Sequence, residues 1–297
     1  MNTRKNGIIL IDKPAGISSA GVVARVKRAL SADRVGHAGT LDPDATGLLI
    51  ILVNGATRVA SYAADGFKVY SGEIQLGVTT TTDDLSGEVL SVAQVIHSFE
   101  EVCTAASCFV GRIMQLPPKV SAKKLDGQRA YKLHRSGQEF ELEPREVEVR
   151  RFGLTKTNDP ATVGYVVEVS PGTYVRSLAR DVGVHLGCGA AVKSIRREVS
   201  GFFSVKDAIS LDAVSWEALR DWSELVPSMP RVCFSDGVVA GLQNGQLRAL
   251  EQAWEECNSV EPLSRYVVYS RAGSRESLGI LGVLPEGGYT FVLNIGK

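Results

Sequence analysis

Apolar residues along this chain follow two rhythms. GIILID is a continuous apolar run closed by Lys13, Pro14, Ala15 and Gly16, which predicts a buried strand ending in a turn. In SAGVVARVKRALS the rhythm changes. Val22, Val23, Val26 and Leu30 fall on one helical face, and Ser18 or Ser19 can cap the start. LLIILV predicts another strand, and GATRVASYAA a helix. KVYSGEIQLGV alternates strictly, placing Tyr70, Gly72, Ile74 and Leu76 on one face of a strand.

Further along, TTTTDDLSGEV reads as a turn-rich connection and residues 92–110 as helix. Residues 115–146 lack periodicity and predict an extended loop, with a short helix around GQRAYKLHRSG. ATVGYVVEVS is a strand ended by Pro171 and Gly172. Thr173 is placed to cap the amphipathic helix YVRSLARDVGVHLG, which Gly187 closes. VKSIRREVSGFFSV predicts a further strand region. After about residue 222 the composition shifts to short strands with glycine turns, YVVYS and SLGILGVLPEGGYTFVLNIG, enough for a small β domain. Strands and helices mix without regular βαβ alternation, which favours an α+β fold over a doubly wound sheet.

Composition narrows the class. The 297 residues are 44% hydrophobic and 22% charged, as in a soluble globular protein of one large domain or two. No apolar run approaches the ~20 residues of a membrane helix, and the N-terminal run is too short for a signal peptide, so a cytoplasmic protein is expected. The five cysteines form no C-x-x-C pair and suggest neither a disulfide framework nor a zinc site. Net charge is zero, but unevenly spread. Residues 111–156 hold 11 Lys/Arg against 6 Asp/Glu, and residues 207–297 hold 7 against 12. A basic middle suits a polyanion if its cations share one face; a solvated loop would look the same.

The densest polar stretch is GHAGTLDPDATGLL, residues 36–49. Asp42 precedes Pro43, so it is extended rather than helical. Among small residues its carboxylate could be a nucleophile or base. Equally, Asp42 and Asp44 could close the turn as Asx-type acceptors. His37 could contact a base or phosphate or be merely structural, and no pair of histidines has metal-ligand spacing. Arg176 stands in the first turn of its helix, where a cation meets the positive end of the helix dipole. That placement is unfavourable unless a carboxylate offsets it; Asp42 would do so while being held ionised, or Arg176 simply reaches solvent. Lys119, Lys123, Lys124, Arg129, Lys132 and Arg135 alternate with Tyr131 and His134, a mixture that suits RNA.

GHAGTLDPDATGLLIILVNGATR closely resembles the catalytic motif of the TruB-type pseudouridine synthases. GIILIDKPAGISS, KVYSGEIQLGVTTTTDDLSGEV, MQLPPKVSAKKLDGQRAYKLHRSG and VSPGTYVRSLARDVGVHLGCGA followed by SIRR resemble the family's other blocks, in its order, over about residues 6–205. The resemblance implies a mixed, largely antiparallel sheet with flanking helices over residues 1–222, with an RNA-clamping insertion at about 115–146. It implies a small β-rich PUA-like domain over residues 223–297, although that tail is acidic.

It also implies an isomerase that converts uridine 55 of the tRNA T-loop to pseudouridine on a flipped-out base, with no cofactor, metal or obligatory protein partner, as a monomer. Asp42 matches the essential aspartate, which either attacks the sugar or removes a ribose proton. Tyr70 matches the ring that stacks on the target base, and Arg176 the arginine that pairs with the aspartate. Tyr174 and Ile195 match positions lining the uracil pocket, Ile195 in place of a more usual leucine. His37 matches a residue holding the T-loop, Lys13 a structural lysine, and Lys123, Lys124 and Arg129 lie in the clamp. A binding module that folds RNA without chemistry would not need Asp42. A glycoside-processing pair would need both Asp42 and Asp44, which a Pro-containing turn rarely aims at one substrate.

Overall fold

The computed structural model describes residues 5–118, 124–125, 128–129, 142–257, 266–271, 273–274, 276–284 and 286–295. In chain order its strands are β1 (Gly7–Lys13), β2 (Val35–Ala38), β3 (Thr46–Val53), β4 (Lys68–Leu76), β5 (Val78–Thr80) and β6 (Val89–Val92). Then follow β7 (Gly111–Gln115), β8 (Lys124–Leu125), β9 (Gln128–Arg129), β10 (Arg145–Lys156), β11 (Thr162–Val169) and β12 (Ala190–Ser200). The last are β13 (Phe203–Ser204), β14 (Ile209–Ser210), β15 (Arg231–Phe234), β16 (Tyr266–Arg271), β17 (Ser277–Val283) and β18 (Tyr289–Asn294). The α-helices are α1 (Ser19–Leu30), α2 (Ala60–Ala64), α3 (Phe99–Ser107), α4 (Val175–Leu186), α5 (Asp236–Gln243) and α6 (Leu247–Glu256).

The main sheet runs β14-β1-β3-β12-β4-β11-β10-β7, with β2 beside β3 and β13 beside β12. Only the β1–β14 and β3–β12 pairs are parallel; the rest are antiparallel. This is the mixed α+β architecture expected.

Residues 8–11 of β1 and 48–53 of β3 form unbroken apolar runs because both of their faces are covered. Ile8, Leu10, Leu48, Ile50 and Leu52 pack with Trp222, Val268, Ile280 and Ile295. Ile9, Ile11, Leu49, Ile51 and Val53 pack on the other side with Val22, Val26 and Leu30 of α1. β4 alternates because Ile74 and Leu76 turn toward Val163, Tyr165, Leu178 and Ala179 under α4. The second sheet, β15-β16-β17-β18, has its own core with α5 and α6. Through Val268, Ile280 and Ile295 it also shares the core of β1 and β3. Trp222, 1% exposed, donates its indole N–H to Ser277 O at 2.7 Å across that contact.

Several local expectations shift. The turn expected over the polar motif shrinks to residues 39–45, because Val35–Ala38 pairs with β3. Helix within 92–110 is confined to α3, whose start is set by a Ser98–Glu101 capping box. GATRVASYAA opens as a 3-10 turn, Asn54–Val59, before α2. There Asn54, at φ 53°, accepts from the Asp33 and Arg34 amides. Thr173 does not cap α4: its hydroxyl donates to Ser170 O, and extended Tyr174 takes the cap position. At Gln128–Arg129, inside the short helix expected in the basic segment, the backbone is instead extended and paired with Lys124–Leu125. α5, α6 and β15 were not legible among the tail's strand signals.

Candidate active site

The loop carrying Asp42 is tied down at nearly every residue. Lys13, with no exposed surface, donates to Pro14 O, Ile17 O and Pro43 O at 2.7–2.9 Å. Three carbonyls use all three ammonium protons. Ser19 exchanges two hydrogen bonds with Leu41, one to its carbonyl and one from its amide, both at 2.9 Å. The Gly16 amide donates to Pro43 O, and Ala45 closes the turn on Asp42 O. From beneath, Arg197 donates Nε to Leu48 O at 2.7 Å and Nη2 to Gly39 O at 3.0 Å. These bonds explain why DKPAGISS precedes the motif: its residues hold the loop that follows.

Asp42 is presented rather than buried. Its side chain is 46% exposed, whereas Arg176 is 6% exposed, and their Oδ2 and Nη2 atoms lie 2.9 Å apart. Arg176 Nη1 donates to Thr82 O at 2.9 Å and lies 3.4 Å from Asp84 Oδ2. Asp84 is itself fixed by Thr82 Oγ1 and by the amide and hydroxyl of Ser86. One helical turn on, Arg180 pairs with Asp83 at 3.0 Å and donates to Leu116 O. Two carboxylates thus meet the cation at the N-terminus of α4 and offset its unfavourable place on the helix dipole. Burial pushes the Asp83 carboxyl up despite the pull of Arg180 and Arg176. Asp42 lies in this network; Asp44 is exposed.

Strand register supplies the neighbouring wall. Tyr70 on β4 is directly opposite Arg197 on β12, and Ile195 is two residues from Arg197 on the same strand. Tyr70 and Ile195 both pack against the core under α4 and against the core under α1. Beneath Tyr70, the Tyr165 hydroxyl donates to Ser194 O, and burial first, then nearby Tyr70, pushes its phenol well up. Tyr174 precedes Arg176 by two residues. Its amide and carbonyl are both bonded to the Gln115 side chain, and Arg145 stacks over its ring at 4.8 Å. His37 sits on β2 opposite Ile51, next to the loop. Lys124 and Arg129 face each other across β8 and β9, and Lys123 lies outside the described residues. Among the described residues no cluster of His, Cys, Asp or Glu is arranged for a metal, and no helix is long and apolar enough to cross a membrane.

Sequence reading missed Arg197, Ser19 and the Asp83–Arg180 pair. The one local sign of Arg197 was a charge inside a strand that must be buried.

The buried lysines give the fold a pH signature. Burial pulls Lys13 and Lys68 down to about 8 from an ordinary 10.5. Just above pH 8 the unfolded chain still holds protons that the folded chain has released, so unfolding free energy rises with pH. From about pH 9 upward, Cys103, Cys257 and Tyr165 oppose the rise, because burial keeps them protonated in the fold. Urea denaturation should therefore show stability climbing between about pH 8 and 9, and Lys13→Met should lose part of the climb. An unaltered slope in that variant would exclude Lys13 as a source.

The fold recurs among solved structures. It superposes on a chain in the crystal structure of a Cbf5–Nop10–Gar1 complex with TM-score 0.66 and 23% identity, covering 98% of this chain and 84% of that one. A chain in the structure of an H/ACA RNP bound to a substrate RNA containing 2'-deoxyuridine gives TM-score 0.64 at 21% identity, covering 97% and 83%. Residues 27–175 match the TruB family pseudouridylate synthase N-terminal domain. The tRNA pseudouridine synthase B of Ruegeria pomeroyi is 44% identical over 220 residues, 74% of this chain and 72% of the relative. That of Ehrlichia ruminantium is 47% identical over 207 residues, 69% and 70% of the two chains. That of Thermobifida fusca is 45% identical over 220 residues, 71% and 75%. The chain belongs to the TruB family of pseudouridylate synthases.

Proposed function

We propose that this enzyme converts uridine 55 in the T-loop of tRNA to pseudouridine, with Asp42 acting on a flipped-out nucleotide. The observation that carries the assignment is the 2.9 Å Arg176–Asp42 pair on an otherwise half-exposed carboxylate. The buried arginine orients that carboxylate while one face stays open to substrate. The bond between ribose C1′ and uracil N1 breaks, the base rotates, and C1′ joins C5. The C5 proton leaves and N1 gains one, so no atom, electron or cofactor is consumed. Asp42 starts the cleavage either at C1′ or by taking a ribose proton. Tyr70 stacks on the base, Tyr174 and Ile195 line its pocket, and His37 holds the T-loop. Extrusion of the uridine costs a few kcal/mol of stacking, which these contacts return. Residues 1–222 would form the catalytic unit and 223–297 a PUA-like unit, in a cytoplasmic monomer that needs no protein partner.

The test is a T-stem-loop RNA incubated with the enzyme, then digested and analysed by nucleoside. One pseudouridine at the position equivalent to 55 is expected; none there, or one elsewhere, overturns the assignment. A second expectation concerns the basic segment. Replacing Lys123, Lys124 and Arg129 with Gln should flatten the plot of log affinity against log salt by about 0.7–0.9 for each phosphate left without its cation. An unchanged slope would show that this segment does not clamp RNA.

A further inference from the structure

Arg197 is a guanidinium in the wrong place for one that merely packs. It is 1% exposed in the middle of β12, and among the described residues it meets backbone carbonyls rather than a carboxylate. A charge removed from water without a counter-ion is costly, and an apolar side chain of similar volume would fill the core more favourably. What an apolar side chain could not do is bind Leu48 O at 2.7 Å and Gly39 O at 3.0 Å together. Those carbonyls stand at the two ends of the segment that carries Asp42.

The backbone of the same residue completes the link. It pairs with Gly47 on one side and with Tyr70 on the other. At Gly39, φ +77° turns the chain so closely over the guanidinium that a Cβ there would lie 3.1 Å from Nη1. One residue therefore spans both ends of the Asp42 loop and the strand bearing Tyr70.

We propose that Arg197 is a positioning residue for pseudouridine formation, setting where Asp42 stands relative to Tyr70 and Ile195. The proposal rests on the reading of Asp42 as the reacting carboxylate. Arg197→Lys keeps the charge and most of the stem, but it replaces two donors held apart in a rigid plane by a single nitrogen, which cannot hold the Leu48 and Gly39 carbonyls in their present places. The variant should unfold cooperatively and bind T-stem-loop RNA within about twofold of the parent, while its single-turnover rate at saturating RNA falls about a hundredfold. A purely structural role would lower the melting temperature and leave the rate of the folded fraction alone.

Asp42→Asn is measured beside it. An inactive Asp42→Asn with Arg197→Lys within threefold of the parent rate overturns the positioning role alone. A fully active Asp42→Asn overturns the reading beneath it. Loss of RNA affinity in proportion to rate also overturns the proposal. Should Arg197→Lys fail to fold, Arg197→Gln is measured the same way. If neither folds, Arg197 serves stability and the assignment falls.

Discussion

Asp42→Asn is expected to lower the rate of pseudouridine formation by about a thousandfold or more, with little change in RNA affinity. Asparagine keeps the shape of the side chain and removes its charge, so it can neither attack carbon nor take a proton. The fold should survive, since the side chain is 46% exposed and Arg176 keeps Thr82 O and Asp84 as partners. The melting temperature should move little. Asp44→Asn is the control: Asp44 is exposed in the same turn, outside the Arg176 network, and its loss should leave the rate unchanged. Single-turnover assays on a T-stem-loop, paired with filter binding, separate the two terms. Comparable losses in both variants would point to a carboxylate pair; full activity in Asp42→Asn would overturn the catalytic role of Asp42.

Gly47→Ala should produce a large loss of stability for a single methyl group. Gly47 sits at φ +96°, and a Cβ there would lie 2.3 Å from Arg197 O and 2.7 Å from Arg197 N. Both atoms are backbone of the neighbouring strand, so nothing flexible can yield. A left-handed alanine costs about 1–2 kcal/mol, and forcing β3 from β12 about 1–3 kcal/mol more. For a unit of this size that lowers the melting temperature by roughly 4–20 °C. Gly16→Ala isolates the two costs. Gly16 has φ +80° but no atom within 4 Å of an added Cβ, so only the conformational part applies. Equal melting temperatures for the two variants would mean that close approach of β3 to β12 contributes nothing. Activity of Gly47→Ala should fall further than its folded fraction explains, because the displaced backbone carries Asp42.

Much of the fold was legible because its signals are local. GIILID and LLIILV read as buried strands since both faces are covered, and Val22, Val26 and Leu30 read as a helix stripe since one face is. Gly187 was recognised as a helix end, and it does close α4 at φ 76°. Where the reading slipped, a tertiary contact outweighed local preference. Val35–Ala38 looked like part of a turn but pairs with β3, and Thr173 looked like a cap but bonds back to Ser170.

The site divides the same way. Asp42 stood out by chain chemistry, a carboxylate before proline among glycines, and Arg176 by an unfavourable place on a helix. Both are properties of a residue and its neighbours in sequence, so the sequence by itself could nominate them and predict their pairing. It could not choose between Asp42 and Asp44 on local grounds, because both fit the same turn. The motif's resemblance nominated Asp42, and the tertiary structure brings Arg176, 134 positions away, to that carboxylate and not to Asp44. Arg197 belongs to the tertiary structure too, 149 residues from Leu48 yet bonded to it. Its importance lies in which carbonyls it reaches, and that exists only once β12 is laid beside β3.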